Sequence, residues 1–287
     1  MKDIHNVVLY KFIPMDGFQR SLESWALKCS TIHGVNDIME NIPRVSRDGK
    51  LDINQNHHHL FTEAFFSFSH KMSVPAMWGH YAANATGVCM VFVFPCQELP
   101  IGGGYCVLRD AESYWSAPAS VKQPSSVLLD LDYHDERAES PYDGIDKYPD
   151  PARDREIAKR FKELLIRKAK CWEYEQEIRL LDSFEHADKA AGEYLLYSWI
   201  MKYFAGVILA PNCKMPTEVM KKLITLAHEN PKNTPKSLIF PYLKNGWIVE
   251  SAEFSPTHFS ICSESLKDNM TFKEFEEQFL KQPKIES

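Results

Sequence analysis

Apolar and polar residues alternate in some stretches of this chain and recur at helical spacing in others, and the two patterns predict different elements. VVLYKF (7–12) is β-rich and is stopped by the turn signal Pro-Met-Asp-Gly, which predicts a first strand with Val7, Leu9 and Lys11 on one side. GFQRSLESWALKCS has helical composition up to Glu23 and then predicts a short strand around Trp25 to Cys29. HHHLFTEAFFSFS (57–69) ends in strict alternation, so that Ser67 and Ser69 point one way and Phe66 and Phe68 the other. Ser73-Val-Pro75 is a helix-start signal ahead of AMWGHYAANA, where Met77, Trp78, Tyr81 and Ala82 make an apolar stripe. GVCMVFVF (87–94) is apolar at every position, the pattern of a central strand covered on both faces.

Farther along, Gln97 to Gly104 reads as a turn region and VLLDLDYHDE as another strand. ESPYDGIDKYPDPARD (139–154) is rich in Pro, Gly and Asp and is expected to be a mobile loop. Residues 155–170 have helical composition, with Ile157, Phe161, Leu164 and Leu165 on one face. LLYSWIMKYFAGVILAP is a second strongly apolar segment, followed by a helix from about Pro216 to His228. IFPYL and GWIVESAEF suggest a closing strand pair, and MTFKEFEEQF a terminal helix. No repeat is visible. The mixture predicts an α+β fold with a mixed or antiparallel central sheet and flanking helices. It divides into a single domain over 1–255 and a C-terminal helical tail over 256–287.

The stretch CWEYEQEIRLL (171–181) raises a chemical question. Read as a strand, it lines up Glu173, Glu175, Glu177 and Arg179 on one face. An exposed antiparallel face has this appearance, with water and the arginine screening the carboxylates. A site that must meet a positive charge has it too. The overall balance, 33 basic against 39 acidic residues, gives a formal charge of −6 and no global basic field for nucleic acid or an anionic membrane. Seven cysteines without a CxxC pair sit mostly in apolar runs and read as reduced core thiols. The amino-terminal residues lack a long apolar leader and no segment approaches a membrane span, so the expected location is a bacterial-type cytoplasm.

Other candidate chemistry is weaker. The GGG at 102–104 lacks the lysine and helix of a phosphate loop and reads as a turn. His57, His58 and His59 are adjacent, whereas metal ligands need spacing along one face, so no metal is expected. Asp132 and His134 can share a strand face but have no third ligand or nucleophile beside them in the sequence. Cys29 and His33 are near in sequence, which does not make a thiolate pair.

Four blocks in order, VVLYKF, GVNDIMEN, FSFSHKMSVPAMWGHYAANATGVCMVF, and KAKCWEYEQEIRLL followed by YFAGVILAP, resemble the bacterial family called domain of unknown function 2971. The likeness spans roughly residues 7–240, and MWGHY and WEYEQEIR are its specific parts. The chain departs from the family pattern after Asn36-Asp37, where Ile38 and Met39 replace the usual proline and phenylalanine while Asn36, Asp37 and Glu40 are kept. A second resemblance is to ADP-ribosyltransferases of the DNA-modifying toxin kind. It lies in the order of a first strand, a strand of aromatics and serines, a helix, an apolar strand and a late strand with a glutamate. This likeness implies NAD as substrate, Tyr10 or Lys11 at the first-strand position, Ser67 and Ser69 on the middle strand, and Glu175 or Glu177 as the catalytic glutamate. The first-strand histidine or arginine usual in that family is absent.

Transfer from NAD breaks a glycosidic bond through an oxocarbenium-like transition state, which carboxylates stabilise. One glutamate would face the developing cation and a second would orient or deprotonate the acceptor. Arg179 would pair with a glutamate or the pyrophosphate, and Phe66, Phe68, Trp78 or Tyr81 would stack on nicotinamide or adenine. Asn36 and His80 would complete the pocket. Beside these stand plainer readings: core packing for Trp78 and Tyr81, a capped or exposed His80, and turn-building for Asn36 and Asp37. The expected function is an NAD-using ADP-ribosyltransferase-like enzyme, an intracellular bacterial toxin or phage-defence effector with a protein or nucleic-acid acceptor and an antitoxin partner. The alternative is a non-catalytic module on the same fold that binds a nucleotide or a protein around MWGHY. A nuclease is disfavoured by the acidic charge and the lack of a metal-ligand cluster.

Overall fold

An apolar strand with two faces to bury needs neighbours on both, and the arrangement that supplies them here is a closed barrel. In the computed structural model, residues 4–30, 63–99, 104–108, 126–138, 156, 159–160, 163–191, 194–233 and 237–281 are described. GVCMVFVF lies within β4 (Val88–Glu98), whose residues from Val88 to Phe94 are all buried, as their unbroken apolar run predicts. β1 (Ile4–Ile13) runs antiparallel beside β4 along its whole length, from Ile4 opposite Gln97 to Ile13 opposite Val88. The other edge of β4 is divided between β12 (Phe204–Leu209), which pairs with its first half, and β5 (Tyr105–Val107), which pairs with Cys96–Glu98.

From β5 the ladder continues through β6 (Ser126–Asp130), β9 (Glu177–Ser183) and β3 (Glu63–Ser69). β3 then meets β1 at Tyr10 opposite Ser69, so six antiparallel strands close on themselves. Closure gives each of the six strands a neighbour on both sides, with β1 and β3 meeting at that single pair. Paired residues share a face, which puts Leu9, Phe68, Phe92, Phe94 and Ile178 on one side and Tyr10, Ser69, Glu177 and Arg179 on the other. The Phe68 ring reaches those of Phe92 and Phe94 at 5.3 and 5.4 Å across the intervening β1, so the first side is the barrel interior. At one end, the 3-10 turn Trp199–Tyr203 ties in through Trp199 Nε1 to Asp182 and Tyr203 OH to the Leu108 carbonyl.

Helices cover the outside. α1 (Met15–Ser24) follows β1, and α2 (Pro75–Tyr81) starts at Pro75 with Val74 extended before it, as the proline ring requires. Trp78 of α2 is fully buried against Phe12, the rings 5.0 Å apart. α2 ends in three consecutive left-handed residues, Ala83, Asn84 and Ala85, with φ of 48°, 55° and 59°. α3 (Thr217–Glu229) buries Met220 and Ile224. α4 (Phe272–Phe279), started by a Thr271 and Glu274 capping box, packs on β1 with Phe275 fully buried. The C-terminal residues expected as a helical tail therefore contribute Ile261, Leu266, Met270 and Phe275 to the main hydrophobic cluster.

Three smaller sheets complete the fold: β2 (Leu27–Lys28) with β11 (Tyr194–Tyr197) and β10 (Lys189–Ala191), β7 (Asp132–His134) with β8 (Arg167–Ala169), and β14 (Glu253–Phe254) with β15 (Ile261–Cys262). The sheets are otherwise antiparallel, with parallel pairing of β7 to β8 and of β12 to β13 (Ile248–Ser251), so the α+β class with a mixed main sheet is found.

Several expectations are corrected. VLLDLDYHDE divides at Leu131 into β6 and β7 because its second half pairs with β8 instead of the barrel. The helical pattern of 155–170 stops at 166, and Arg167–Ala169 is a strand. IFPYL is a 3-10 turn at Phe240–Tyr242, where Pro241 has no amide to give a ladder, and GWIVESAEF pairs instead with β12 and β15. The expected mobile loop at 139–154 lies outside the described residues, as do His57 to His59, Asn36 and Asp37. Cys29, Cys89, Cys96 and Cys106 are buried, Cys171 and Cys262 are exposed, and all are free thiols. Among the described residues, no helix is long and apolar enough to cross a membrane.

Gly206 of β12 lies opposite Ile248 of β13. A Cβ there would lie 1.9 Å from the Ile248 carbonyl oxygen, a backbone atom that cannot yield like a side chain. Gly206→Ala is expected to lower stability by about 3 kcal/mol, at the upper end for overpacking, read from the denaturant midpoint.

Candidate functional site

The residues of CWEYEQEIR do not form one strand. Lys170–Glu175 is a 3-10 turn, Gln176 is left-handed at φ 43°, and β9 begins only at Glu177. Ser69, opposite Glu177 on β3, fixes the turn: its hydroxyl donates to the Glu175 carbonyl at 2.6 Å and accepts from the Lys71 amide at 3.0 Å. The shared strand face expected of Glu173, Glu175, Glu177 and Arg179 is thereby replaced. Glu173 is exposed in the turn, while Glu175, Glu177 and Arg179 are buried.

The two buried glutamates still converge, but on a lysine. Lys168 of β8 donates from Nζ to Glu175 Oε2 at 2.5 Å and to Glu177 Oε2 at 2.7 Å. Arg179 Nε donates to Glu177 Oε1 at 2.8 Å, and its Nη1 donates to the Leu165 carbonyl at 2.5 Å. Tyr81, at the end of α2, donates from its hydroxyl to Glu175 Oε1 at 2.6 Å. The Glu177 amide donates to the Tyr133 hydroxyl at 2.8 Å. Each of these carboxylate oxygens thus has a donor, which is what a buried charge requires. Phe65, Leu129, Leu165 and Leu181 close over the arginine, whose guanidinium lies 4.6 Å from the Phe65 ring centroid.

Beside this cluster is an aromatic surface. His80, Trp172 and Tyr174 are mutual neighbours, with centroids 6.1 Å apart for His80 and Trp172, 6.5 Å for His80 and Tyr174, and 6.0 Å for Trp172 and Tyr174. His80 is exposed and the other two rings are partly so, while Lys168 Nζ lies 5.3 Å from the Trp172 ring. MWGHY and WEYEQEIR, about ninety residues apart, therefore build one site.

Of the residues singled out in the sequence, Ser69, His80, Tyr81, Glu175, Glu177 and Arg179 come together. Lys11 is near: its partly buried ammonium donates to the Ser67 carbonyl at 3.1 Å, lies 5.5 Å from the Phe68 ring, and feels Glu177 electrostatically. Burial lowers Lys11 to about 8, the pull of Glu177 opposing it. Ser67 enters only through that carbonyl. Tyr10 sits opposite Ser69, but its hydroxyl is committed to the Lys267 carbonyl at 2.8 Å. Trp78 is core, its indole N–H donating to the Met72 carbonyl, and Phe66 and Phe68 are equally enclosed. Sequence reasoning missed Lys168, Tyr133, Trp172 and Tyr174 as site residues. The last two lie inside a specific block, whereas Lys168 is one basic residue among several in RKAK and carries no signal of its own.

Asp132 and His134 pair with each other at 2.6 Å on β7. Among the described residues no group of three or more His, Cys, Asp or Glu is placed to hold a metal ion.

The geometry defines an α+β protein in which a closed antiparallel barrel carries a buried, charge-balanced cluster beneath an aromatic surface. Over residues 77–180 the chain matches the family described as Protein of unknown function (DUF2971), a span that holds both MWGHY and WEYEQEIR whole. No curated protein and no solved structure matches the chain, so none of these comparisons supports the likeness to ADP-ribosyltransferases.

Burial raises the proton affinity of Glu177, but Arg179 and then Lys168 outweigh it and bring the group down to about 2 from an ordinary 4.5. A carboxylate depressed in the folded state adds stability above its unfolded value, and that stability is lost as pH falls through the folded one. Stability is therefore expected to fall between about pH 4.5 and 2, and Glu177→Gln to flatten this dependence in acid titrations followed by circular dichroism.

Proposed function

We propose that this protein is an NAD-using ADP-ribosyltransferase-like enzyme with Glu177 and Glu175 at its centre. The observation that carries the reading is a row across three hydrogen-bonded strands, Tyr10 on β1, Ser69 on β3 and Glu177 on β9. The likeness to ADP-ribosyltransferases assigns substrate contact and catalysis to these strands, with Tyr10 or Lys11 on the first, Ser67 and Ser69 on the second and Glu175 or Glu177 as the glutamate. Glu177, kept ionised by Arg179 and Lys168, suits the role of facing a sugar cation, since it remains negative across the working pH range. The C–N glycosidic bond of NAD breaks with its electron pair leaving on neutral nicotinamide. The acceptor's lone pair then bonds to the anomeric carbon, and the acceptor proton passes to Glu175, whose other neighbours are Tyr81 and Lys168. His80, Trp172 and Tyr174 offer ring faces at the edge of the carboxylates.

The biological setting belongs to the same proposal: a cytoplasmic bacterial toxin or phage-defence effector acting on a protein or nucleic-acid acceptor. One observation favours a second reading, a non-catalytic nucleotide- or protein-binding module on this fold. Both Glu177 oxygens are engaged and its side chain is 4% exposed, the condition of a charge held for structure.

Nicotinamide release from NAD by the purified protein separates the two. Under the enzyme reading, Glu177→Gln is expected to lower release by about 100-fold or more while circular dichroism stays unchanged, and Glu173→Gln in the exposed turn to have little effect. A folded wild-type protein that releases no nicotinamide would leave the binding module as the reading.

A further inference from the structure

Lys168 is the sole described group that touches both carboxylates, and nothing in the likeness to known enzymes assigns it. Its Nζ lies 2.5 Å from Glu175 Oε2 and 2.7 Å from Glu177 Oε2, so those oxygens are at most about 5 Å apart in a site closed to water. Of the two carboxylates Arg179 contacts Glu177, and the Tyr81 hydroxyl gives Glu175 a hydrogen bond without a charge. Two carboxylates this close in a desolvated site do not both stay ionised unless a cation stands between them; one takes up a proton. Lys168 and Tyr133 are opposite one another on β8 and β7, so one small parallel sheet delivers both the ammonium and the hydroxyl that holds the Glu177 amide.

We propose that Lys168 is the positioning residue of the site, holding Glu175 and Glu177 at one spacing and both in the ionised form. As a statement about the reaction, it rests on the reading of these glutamates as the groups that meet NAD. The titratable and charged groups facing the trio are Tyr81 from α2, Tyr133 from β7, Cys171 and Tyr174 from the 3-10 turn, Arg179 from β9 and Lys11 from β1. None of the tyrosines or the cysteine bears positive charge, Arg179 is spent on Glu177, and the Lys11 ammonium is turned to the Ser67 carbonyl. Removing Lys168 therefore leaves no cation in contact with Glu175 among the described residues.

The test uses the full chain with carbon-13-labelled glutamate carboxyls, comparing wild type with Lys168→Met and Lys168→Arg, and Glu175→Gln for assignment. Relative to wild type, the buried carboxylate pair of Lys168→Met is expected to hold one further proton near neutral pH, seen as a gained carboxyl titration. Lys168→Arg is expected to restore the wild-type titration. In parallel, Lys168→Met is expected to release nicotinamide about tenfold or more slowly at neutral pH and to recover as the gained carboxyl ionises at higher pH. Lys168→Met titrating like wild type would overturn the proposal, and so, where the wild type releases nicotinamide, would an unchanged pH profile of release. A gained carboxyl in a system whose wild type never releases nicotinamide would uphold the role of Lys168 while removing NAD chemistry. A variant-free measurement covers a failure to fold: wild-type Lys168 ammonium protons should exchange slowly with water near neutral pH, and free exchange would overturn the assignment.

Discussion

Everything distinctive about this molecule depends on one ammonium group being shared by two carboxylates out of reach of water. Burying Glu175, Glu177 and Arg179 under Phe65, Leu165 and Leu181 is costly unless each charge finds a partner of opposite sign, and Lys168 makes the numbers equal, two of each. The partners come from separate parts of the chain: α2 supplies Tyr81, β7 Tyr133, β8 Lys168, the turn before β9 Glu175, and β9 itself Glu177. The 3-10 turn and the left-handed Gln176 follow from this requirement. A regular strand through 171–181 would set Glu175 and Glu177 side by side with no cation between them, whereas the turn brings them to one nitrogen from different directions.

The barrel is what makes such a cluster stable in place. β9 is flanked by β3 through its full length and by β6 from Ile178 to Asp182, so backbone pairing fixes where Glu177 and Arg179 sit. Burial of that face then comes from the helical segment ending at 166, whose Leu165 contributes both apolar cover and the carbonyl that accepts from Arg179. On the other side, α2 is held by Trp78 in the core and stopped by Ala83, Asn84 and Ala85. Their left-handed backbone costs on the order of 1 kcal/mol each, offset locally by amide bonds from Asn84, Ala85 and Gly87 back to Gly79, Trp78 and Ala82. Strain of this kind persists where the surroundings leave no alternative, and here it directly follows the residues that present His80 and Tyr81.

Much of this architecture was legible in the sequence where the signal is periodic and local. β1, α1, β3, α2, β4, α3 and α4 fall where alternation, helical composition and Pro75 put them. What escaped is what pairing in space decides. Arg167 to Ala169 continue a helical composition, and only the neighbouring β7 turns them into a strand. Glu173 to Arg179 alternate cleanly, and only a side-chain hydroxyl from Ser69, more than a hundred residues away, bends the first half out of line. The site was legible as the two blocks MWGHY and WEYEQEIR, whose aromatic and acidic residues are unusual enough to notice. Its cation was not, because a lysine among Arg167, Lys168 and Lys170 looks like a solvated charge until the fold buries it.

The join between β1 and β3 is the thinnest in the barrel, a single registered pair at Tyr10 and Ser69, with the Lys11 ammonium on the Ser67 carbonyl beside it. A ring of ladders fastened at one narrow point behaves like a bracelet with a clasp: it opens there with the smallest number of bonds undone, and the remaining strands stay paired. Ser69 belongs both to the clasp and to the hydroxyl that holds the turn under Glu175. The seam of the cylinder and the charged site therefore share one residue, so that whatever steadies the clasp also steadies the carboxylates.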